Sequence, residues 1–337
     1  MPGCGFGWAR LAWYTSGMMR AAVLVLICAL LPISVARAIE DETSRVTYNG
    51  TAPTNANIPN WSNGWVQPAV QPSGSTSTTG WNYCGSVGGN SAVYLGDGWV
   101  LTAAHVGAGD LDLNNVTYPM VANTAQVLNS VQVTGQAAPT STQADLVLFK
   151  VSPAPSLPPI AFRQSDPVAG TSQVAMLGYG HTNGDRVVTW GFNTVTPRAN
   201  PVNIQTVNYG LSLTSGSSNY YSNDFLTLTQ DGTPTNNYQV VIGDSGGPDF
   251  IYNSTTKVWE LAGLNEAELS NDGNPPDLSA MIQLDTYLPQ ITAILAPQAD
   301  TPAMPASAVG VLAISLATMA AVPLARREHS PGSSSKG

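Results

Sequence analysis

The sequence predicts an all-β fold. Three observations lead there. Gly (32) and Pro (25) are abundant among the 337 residues and only 10% are charged, a composition suited to many turns. Short apolar runs recur along the chain, separated by clusters of Ser, Thr, Asn, Gly and Pro. Only one segment, near the end of the body, carries apolar residues at helical spacing.

Taken in order, residues 1–38 read as a signal peptide. Arg20 precedes the apolar run Ala21–Ile33, and Ala36-Arg37-Ala38 places small residues where a signal peptidase cuts. The run is short for a bilayer span, which favours a leader over a permanent anchor. Residues 39–80 are rich in Asn, Thr, Pro and Ser, with few periodic apolar positions, and predict an extended polar arm. The folded body begins near Trp81. Ser91–Leu95 and Trp99–Thr102 flank Gly96-Asp97-Gly98 as a hairpin. Further strands are expected at Ala125–Val133, Asp145–Val151, Gln173–Leu177, Arg186–Phe192, Asn203–Val207, Asp224–Thr229, Gln239–Ile242 and Val258–Leu264. Such spacing predicts a sandwich or barrels. A Pro-rich link, Ser152–Pro159, divides the body into 81–160 and 161–297. Leu284, Leu288, Ile291 and Leu295 predict a short C-terminal helix.

Residues 298–337 form a linker, an uncharged apolar segment at about 306–325, and a basic tail opening with Arg326-Arg327. Paired arginines after such a run predict a membrane-anchored C-terminus on an exported body. Pro302, Pro305 and Pro323 weaken a continuous helix there and leave an Ala-rich tail open. The tail resembles the PEP-CTERM type of bacterial sorting segment, although Thr301-Pro302-Ala303-Met304-Pro305 lacks its central Glu.

Between Ile39 and Met304 the body holds six Lys and Arg against twenty Asp and Glu, a more negative balance than the −9 of the whole chain. Phosphate binding needs clustered Lys and Arg, so nucleic acid is excluded as a partner class. Cys4 and Cys28 fall in the leader. Cys84 alone stays in the body, so no internal disulfide can staple the fold.

Three segments carry chemistry. Gly243-Asp244-Ser245-Gly246-Gly247-Pro248 sets a serine between glycines. A serine hydroxyl needs a base beside it and donors for the developing oxyanion. Glycines let the backbone turn sharply, so the amides of Gly243 and Ser245 can point at one oxygen. A bare Gly-x-Ser-x-Gly would fit an ordinary turn or an α/β-hydrolase elbow as well. Leu101-Thr102-Ala103-Ala104-His105 ends a strand in small residues and a histidine, whose ordinary pKa of about 6.5 suits proton transfer near neutrality. Asp145 opens the apolar strand Asp145–Val151, where a buried carboxylate needs a partner such as an imidazole N–H.

Together these segments resemble the chymotrypsin, or trypsin-like, serine protease family. The order His105, Asp145, Ser245, with separations of 40 and 100 residues, fits that family. Leu177–Thr182 and Asp285–Ile291 are similar to the segments that open its second barrel and lead into its last helix. The resemblance covers roughly 81–296. It implies two six-stranded antiparallel β-barrels followed by a short C-terminal helix, with the site between the barrels. His105, Asp145 and Ser245 are then catalytic, and Gly243 and Ser245 form the oxyanion hole. The substrate is a polypeptide, hydrolysed without metal or cofactor. The same resemblance assigns Gln239, six residues before Ser245, to the primary pocket. It also assigns Asn265 and Glu266, on the strand Leu264–Glu268, to substrate binding. No Asp occurs from Tyr238 to Ile242 to select Arg or Lys, and the side chains of Glu266 and Glu268 are expected to face solvent.

There are departures from the family pattern. Val106 follows His105 where the family often has a cysteine, and the activation sequence Ile-Val-Gly-Gly is absent. Cleavage after Ala38 would expose Ile39, far upstream of His105. The expected function is therefore an exported serine endopeptidase. The rival is a catalytically silent binding or adhesion protein on the same fold.

Overall fold

The computed structural model describes residues 40–41, 50–67, 78–133, 138–182, 185–199, 205–229, 238–269 and 277–296. The described residues up to Ile291 form one compact unit; of a second, 292–337, only 292–296 are described. The predicted signal peptide and the apolar run before Arg326 lie outside the described residues. Among those described, no helix is long and apolar enough to cross a membrane.

The first sheet contains β1 (Cys84–Val87), β2 (Asn90–Gly96), β3 (Trp99–Thr102), β4 (Leu111–Leu113), β5 (Val116–Tyr118), β6 (Gln126–Asn129) and β7 (Gln143–Lys150). Their order is β5-β4-β1-β2-β3-β7-β6, antiparallel throughout. Just beyond β5 and β7 the chain closes the ring. Met120 bridges Val151, the Val121 amide donates to the Lys150 carbonyl at 2.8 Å, and the Ser152 amide donates to Pro119 at 3.0 Å. Six strands thus form the closed ring, and β6 pairs with β7 along the same edge as the closing segment. Ala144–Phe149 is buried on both faces, which is why that run is continuously apolar after Asp145.

The second sheet contains β8 (Gln173–Gly178), β9 (Thr189–Thr196), β10 (Tyr209–Ser215), β11 (Ser218–Thr229), β12 (Pro248–Asn253), β13 (Val258–Leu269) and β14 (Asp277–Gln283). Its order is β9-β8-β12-β13-β14-β11-β10. The pairs Val195–Thr227 and Thr196–Leu226 join β9 to β11 and close a six-stranded ring. β10 is the extra strand. Val174, Met176, Val195, Phe225, Ile251, Ala262 and Met281 fill the interior. The fold class and six-stranded rings agree with expectation, although each whole sheet has seven strands.

Several expected elements move. Leu284–Tyr287 is a 3₁₀ turn, and the α-helix α1 covers Leu288–Leu295. The strand expected at Ala125–Val133 stops at Asn129, and those at Asn203–Val207 and Gln239–Ile242 shrink to Gln205–Thr206 and Tyr238–Gln239. The polar arm is a larger correction. Within it Ile58, Trp61 and Trp65 are buried. Trp65 stacks on Trp259 with ring centroids 5.6 Å apart and meets Phe250 edge-on at 5.0 Å. Upstream, Glu40 and Asp41 pair antiparallel with Gln239 and Tyr238. Residues near Ile39, remote in sequence, therefore return to the strand that leads into the Ser245 loop.

Candidate active site

His105 sits in the turn that follows β3. The amides of Val106 and Gly107 both donate to the Ala103 carbonyl, at 3.1 and 3.2 Å, and so fix the turn. Asp145, at the start of β7 and wholly buried, uses both carboxylate oxygens on this one residue. Oδ1 accepts the His105 amide at 2.7 Å, and Oδ2 lies 2.5 Å from Nδ1. A carboxylate on Nδ1 holds the proton on that nitrogen and leaves Nε2 as the basic one. The imidazole side chain is only 18% exposed.

Ser245 lies in the loop between Tyr238–Gln239 and β12. The loop is held from within and from both barrels. Asp244 donates its amide to Val241 at 3.0 Å, and its Oδ2 accepts the Val241 amide at 3.1 Å. The Gly246 amide donates to the Asn265 carbonyl, and the Asn265 amide to Gly247, each at 2.8 Å. From the first barrel, Ser91 donates its amide to the Ser245 carbonyl and its hydroxyl to the Gly243 carbonyl, both at 3.0 Å. Both glycines are needed here. Gly243 and Gly246 have φ of 99° and 87°, and a Cβ at Gly246 would lie 2.2 Å from Thr102 Oγ1. Among the described residues, the Gly243 and Ser245 amides donate to no protein acceptor. That leaves both available to an incoming oxyanion.

The structure brings His105 and Asp145 into direct contact. It does not join Ser245 to His105: the Ser245 hydroxyl donates instead to the Glu266 carbonyl at 3.4 Å. Gln239 is buried on its short strand before the loop, and its Oε1 has no partner among the described residues.

The other two residues assigned to substrate binding are differently placed. Asn265 is wholly buried, and its Nδ2 donates to the Leu177 carbonyl at 2.8 Å, so it braces the loop from behind. The Glu266 side chain does not face solvent as expected. It is buried, accepts the Ser222 hydroxyl on Oε1 at 3.0 Å, and has the Asp224 carboxyl beside it. The alternation of the strand changes at a bulge between Asn265 and Ala267, which the sequence pattern does not announce. Glu268 is exposed.

Three residues of this site were not among the sequence candidates. Ser91 ties the first barrel to the nucleophile loop, and its Oγ also accepts the Tyr179 amide at 2.6 Å. Ser222 on β11 accepts the Asp145 amide at 3.2 Å. Asp224, two residues along the same strand, is wholly buried. Two are ordinary strand serines, and Asp224 lies at the head of a predicted strand, so no local pattern marks them.

The trypsin-like peptidase domain matches residues 89–258, just over half the chain. The chain belongs to that family. The matched segment holds His105, Asp145 and Ser245 and ends before Glu266. No curated protein matches the chain. Among solved structures, the active form of the Rv3671c protease from M. tuberculosis is similar at 17% identity and TM-score 0.39, over 62% of this chain and 74% of that one. The HtrA-type protease AlgW with a decapeptide is similar at 20% identity and TM-score 0.37, over 61% of this chain and 51% of that one. The trypsin-like assignment rests on the domain match.

Proposed function

We propose that this peptidase is a serine endopeptidase whose nucleophile is Ser245. The observation that carries the reading is the two-point grip of Asp145 on His105, beside a glycine-flanked serine with two uncommitted amides. Ser245 Oγ turns from the Glu266 carbonyl and attacks the peptide carbonyl carbon. Its proton passes to His105 Nε2. The amides of Gly243 and Ser245 receive the oxyanion. The imidazolium, stabilised by Asp145, returns the proton to the leaving amine as the C–N bond breaks. Water then repeats the cycle on the acyl-enzyme, releasing the acid and restoring Ser245. Gln239 and the residues before the loop form an uncharged primary pocket.

The rival reading, a silent binding protein on this fold, draws on one observation: Ser245 rests on Glu266 rather than on His105. Labelling with a fluorophosphonate separates the two. The peptidase labels, and Ser245→Ala, His105→Ala and Asp145→Asn each lose most labelling and peptide turnover while staying folded. The three act as a unit, so double variants are little worse than Ser245→Ala. Full turnover by folded Ser245→Ala sinks the assignment.

We further propose that the body is exported and held at a membrane by the segment at about 306–325, on the strength of its uncharged run and the arginines that follow. Truncation after Pro297 then releases the protein from the membrane fraction. Equal release of the full-length and truncated forms, with an intact tail by mass spectrometry, rules the anchor out.

A further inference from the structure

Behind the His105–Asp145 couple lies a second group of acids that the proposed mechanism does not use. Asp145 and Asp224 are wholly buried and Glu266 is 2% exposed. Ser222 Oγ links them: it accepts the Asp145 amide at 3.2 Å and donates to Glu266 Oε1 at 3.0 Å. Both oxygens of Asp224 and Oε2 of Glu266 face no N–H or O–H donor among the described residues, yet Asp224 shares a strand face with Ser222, which bonds Glu266, so the two carboxyl groups lie close together. Two ionised carboxylates in that contact would repel each other, uncompensated, in a low-dielectric interior. One proton between them changes the outcome: the protonated group donates and the other accepts.

Among the described residues nothing else compensates these charges. Asp145 on β7 adds a third acid, and Tyr221 on β11 and Tyr287 on the 3₁₀ turn supply the other titratable groups nearby. No Lys or Arg forms an ion pair with these acids among the described residues. No group of three or more His, Cys, Asp or Glu there is arranged to hold a metal ion. Glu266 matters twice, because its main-chain carbonyl also receives the Ser245 hydroxyl.

We propose that Asp224 and Glu266 share a single proton and act together as a positioning pair for the active site, holding Asp145 through Ser222 and the Ser245 rest position through the Glu266 backbone. The inference rests on the serine-peptidase reading above. Neither side chain reaches the surface, so each acts through the groups it holds. With the proton present, Glu266 is held in place and can accept from Ser222. When it leaves, the pair gains a negative charge beside Asp145, and repulsion loosens the strand that carries both Ser222 and Asp224.

The direction of titration agrees with this. Burial pushes the Asp224 carboxyl up to about 8, with Asp145 adding to the rise and the Glu266 contact opposing it. Glu266 is pushed well above the usual carboxylate range by burial and by the charges of Asp224 and Asp145. Both directions favour the protonated form, so the pair is not fully ionised at neutral pH and loses protons on the alkaline side.

The test is the pH profile of kcat and KM for a fluorogenic peptide with the wild type, Asp224→Asn, Glu266→Gln and Glu266→Ala. The wild-type kcat falls as the pair deprotonates. In Asp224→Asn the amide donates to Glu266 permanently, so the neutral rate stays within about threefold and the alkaline fall moves up by about one pH unit or disappears. Glu266→Ala removes the acceptor of Ser222 and lowers kcat about tenfold with little change in KM, and Glu266→Gln recovers most of that loss. An alkaline limb unmoved in Asp224→Asn, or Glu266→Ala equal to the wild type, overturns the proposal.

A second measurement separates this result from failure of the peptidase reading. Carbon-13 NMR of labelled Asp and Glu carboxyls reports a protonated acid at neutral pH in the wild type, whether or not the protein turns over. The His105 ring-nitrogen signals follow its titration in the wild type and lose that step in Asp224→Asn. Two fully ionised carboxylates at neutral pH, or His105 signals blind to the titration, overturn the inference even in a protein that no fluorophosphonate labels.

Discussion

Ser91 shows how much of the site depends on one small side chain. It lies on β2 of the first barrel, wholly buried, and joins three points of the second: the carbonyls of Gly243 and Ser245 and the amide of Tyr179. Its amide bond to Ser245 survives any substitution except proline, but its hydroxyl bonds do not. Ser91→Ala leaves the buried Gly243 carbonyl without this hydroxyl and removes its bond to the Tyr179 amide, at a cost of about 1–3 kcal/mol. In the proposed mechanism the Gly243 peptide carries one of the two oxyanion donors, so the loss falls on kcat more than on KM, by about tenfold to a hundredfold. Steady-state kinetics and thermal melting check this together. A destabilised variant with unchanged kcat would make Ser91 a packing residue only. The Ser91 hydroxyl bonds to Gly243 across 152 residues of sequence, and that distance is why it was not legible. The contact between His105 and Asp145 was legible because an acid opening an apolar strand needs a buried donor, and a histidine after a strand of small residues can supply it. Glu266 misled for the opposite reason: its charge suggested solvent, while the bulge at Asn265–Ala267 turned it inward.

At the scale of elements, the short strands between turns were readable, since burial on both faces gives β7 and β8 continuous apolar runs. Strands with polar buried residues were not. Asp277–Gln283 buries Ser279 and Gln283, and Pro248–Asn253 follows directly on the nucleophile motif, so neither shows a strand signature. The segment 51–67 was obscured by its own composition. Its Asn, Thr and Pro residues describe the surface, while Ile58, Trp61 and Trp65 do the anchoring. Aromatic pairing between Trp65, Trp259 and Phe250 binds it to the outside of the second barrel. Trp65→Ala opens a large cavity there and costs about 3–5 kcal/mol. The melting temperature falls accordingly, while kcat of the protein that remains folded is nearly unchanged, because Phe250 and Trp259 make this contact and neither bonds to the Ser245 loop. A melting temperature equal to the wild type would mean that the segment detaches without consequence.

Across the whole molecule, the formal charge overstates the real one, because several acids are buried where ionisation is unfavourable. Asp249 is wholly buried and pushed well above the usual carboxylate range, first by burial and then by Asp244. Asp224 is raised to about 8 and Asp285 to about 6, burial being the leading cause in each. A carboxyl whose folded value lies above its unfolded one binds protons more tightly in the folded state. Its contribution is therefore complete below the unfolded value, about 4, and is lost as pH rises through the folded value. For these residues the loss begins above about pH 4, passes through the Asp285 range near 6, and continues through the Asp224 range near 8. The protein is accordingly more stable at mildly acidic pH than at alkaline pH, against the usual pattern of acid denaturation. Calorimetric melting temperatures across that range decline with rising pH. Asp249→Asn and Asp224→Asn each flatten the decline, since an amide of the same shape has no proton to lose. A melting temperature that rises steadily from acid to alkaline pH would mean that these carboxyls are ionised in the fold, with charges compensated by groups outside the described residues.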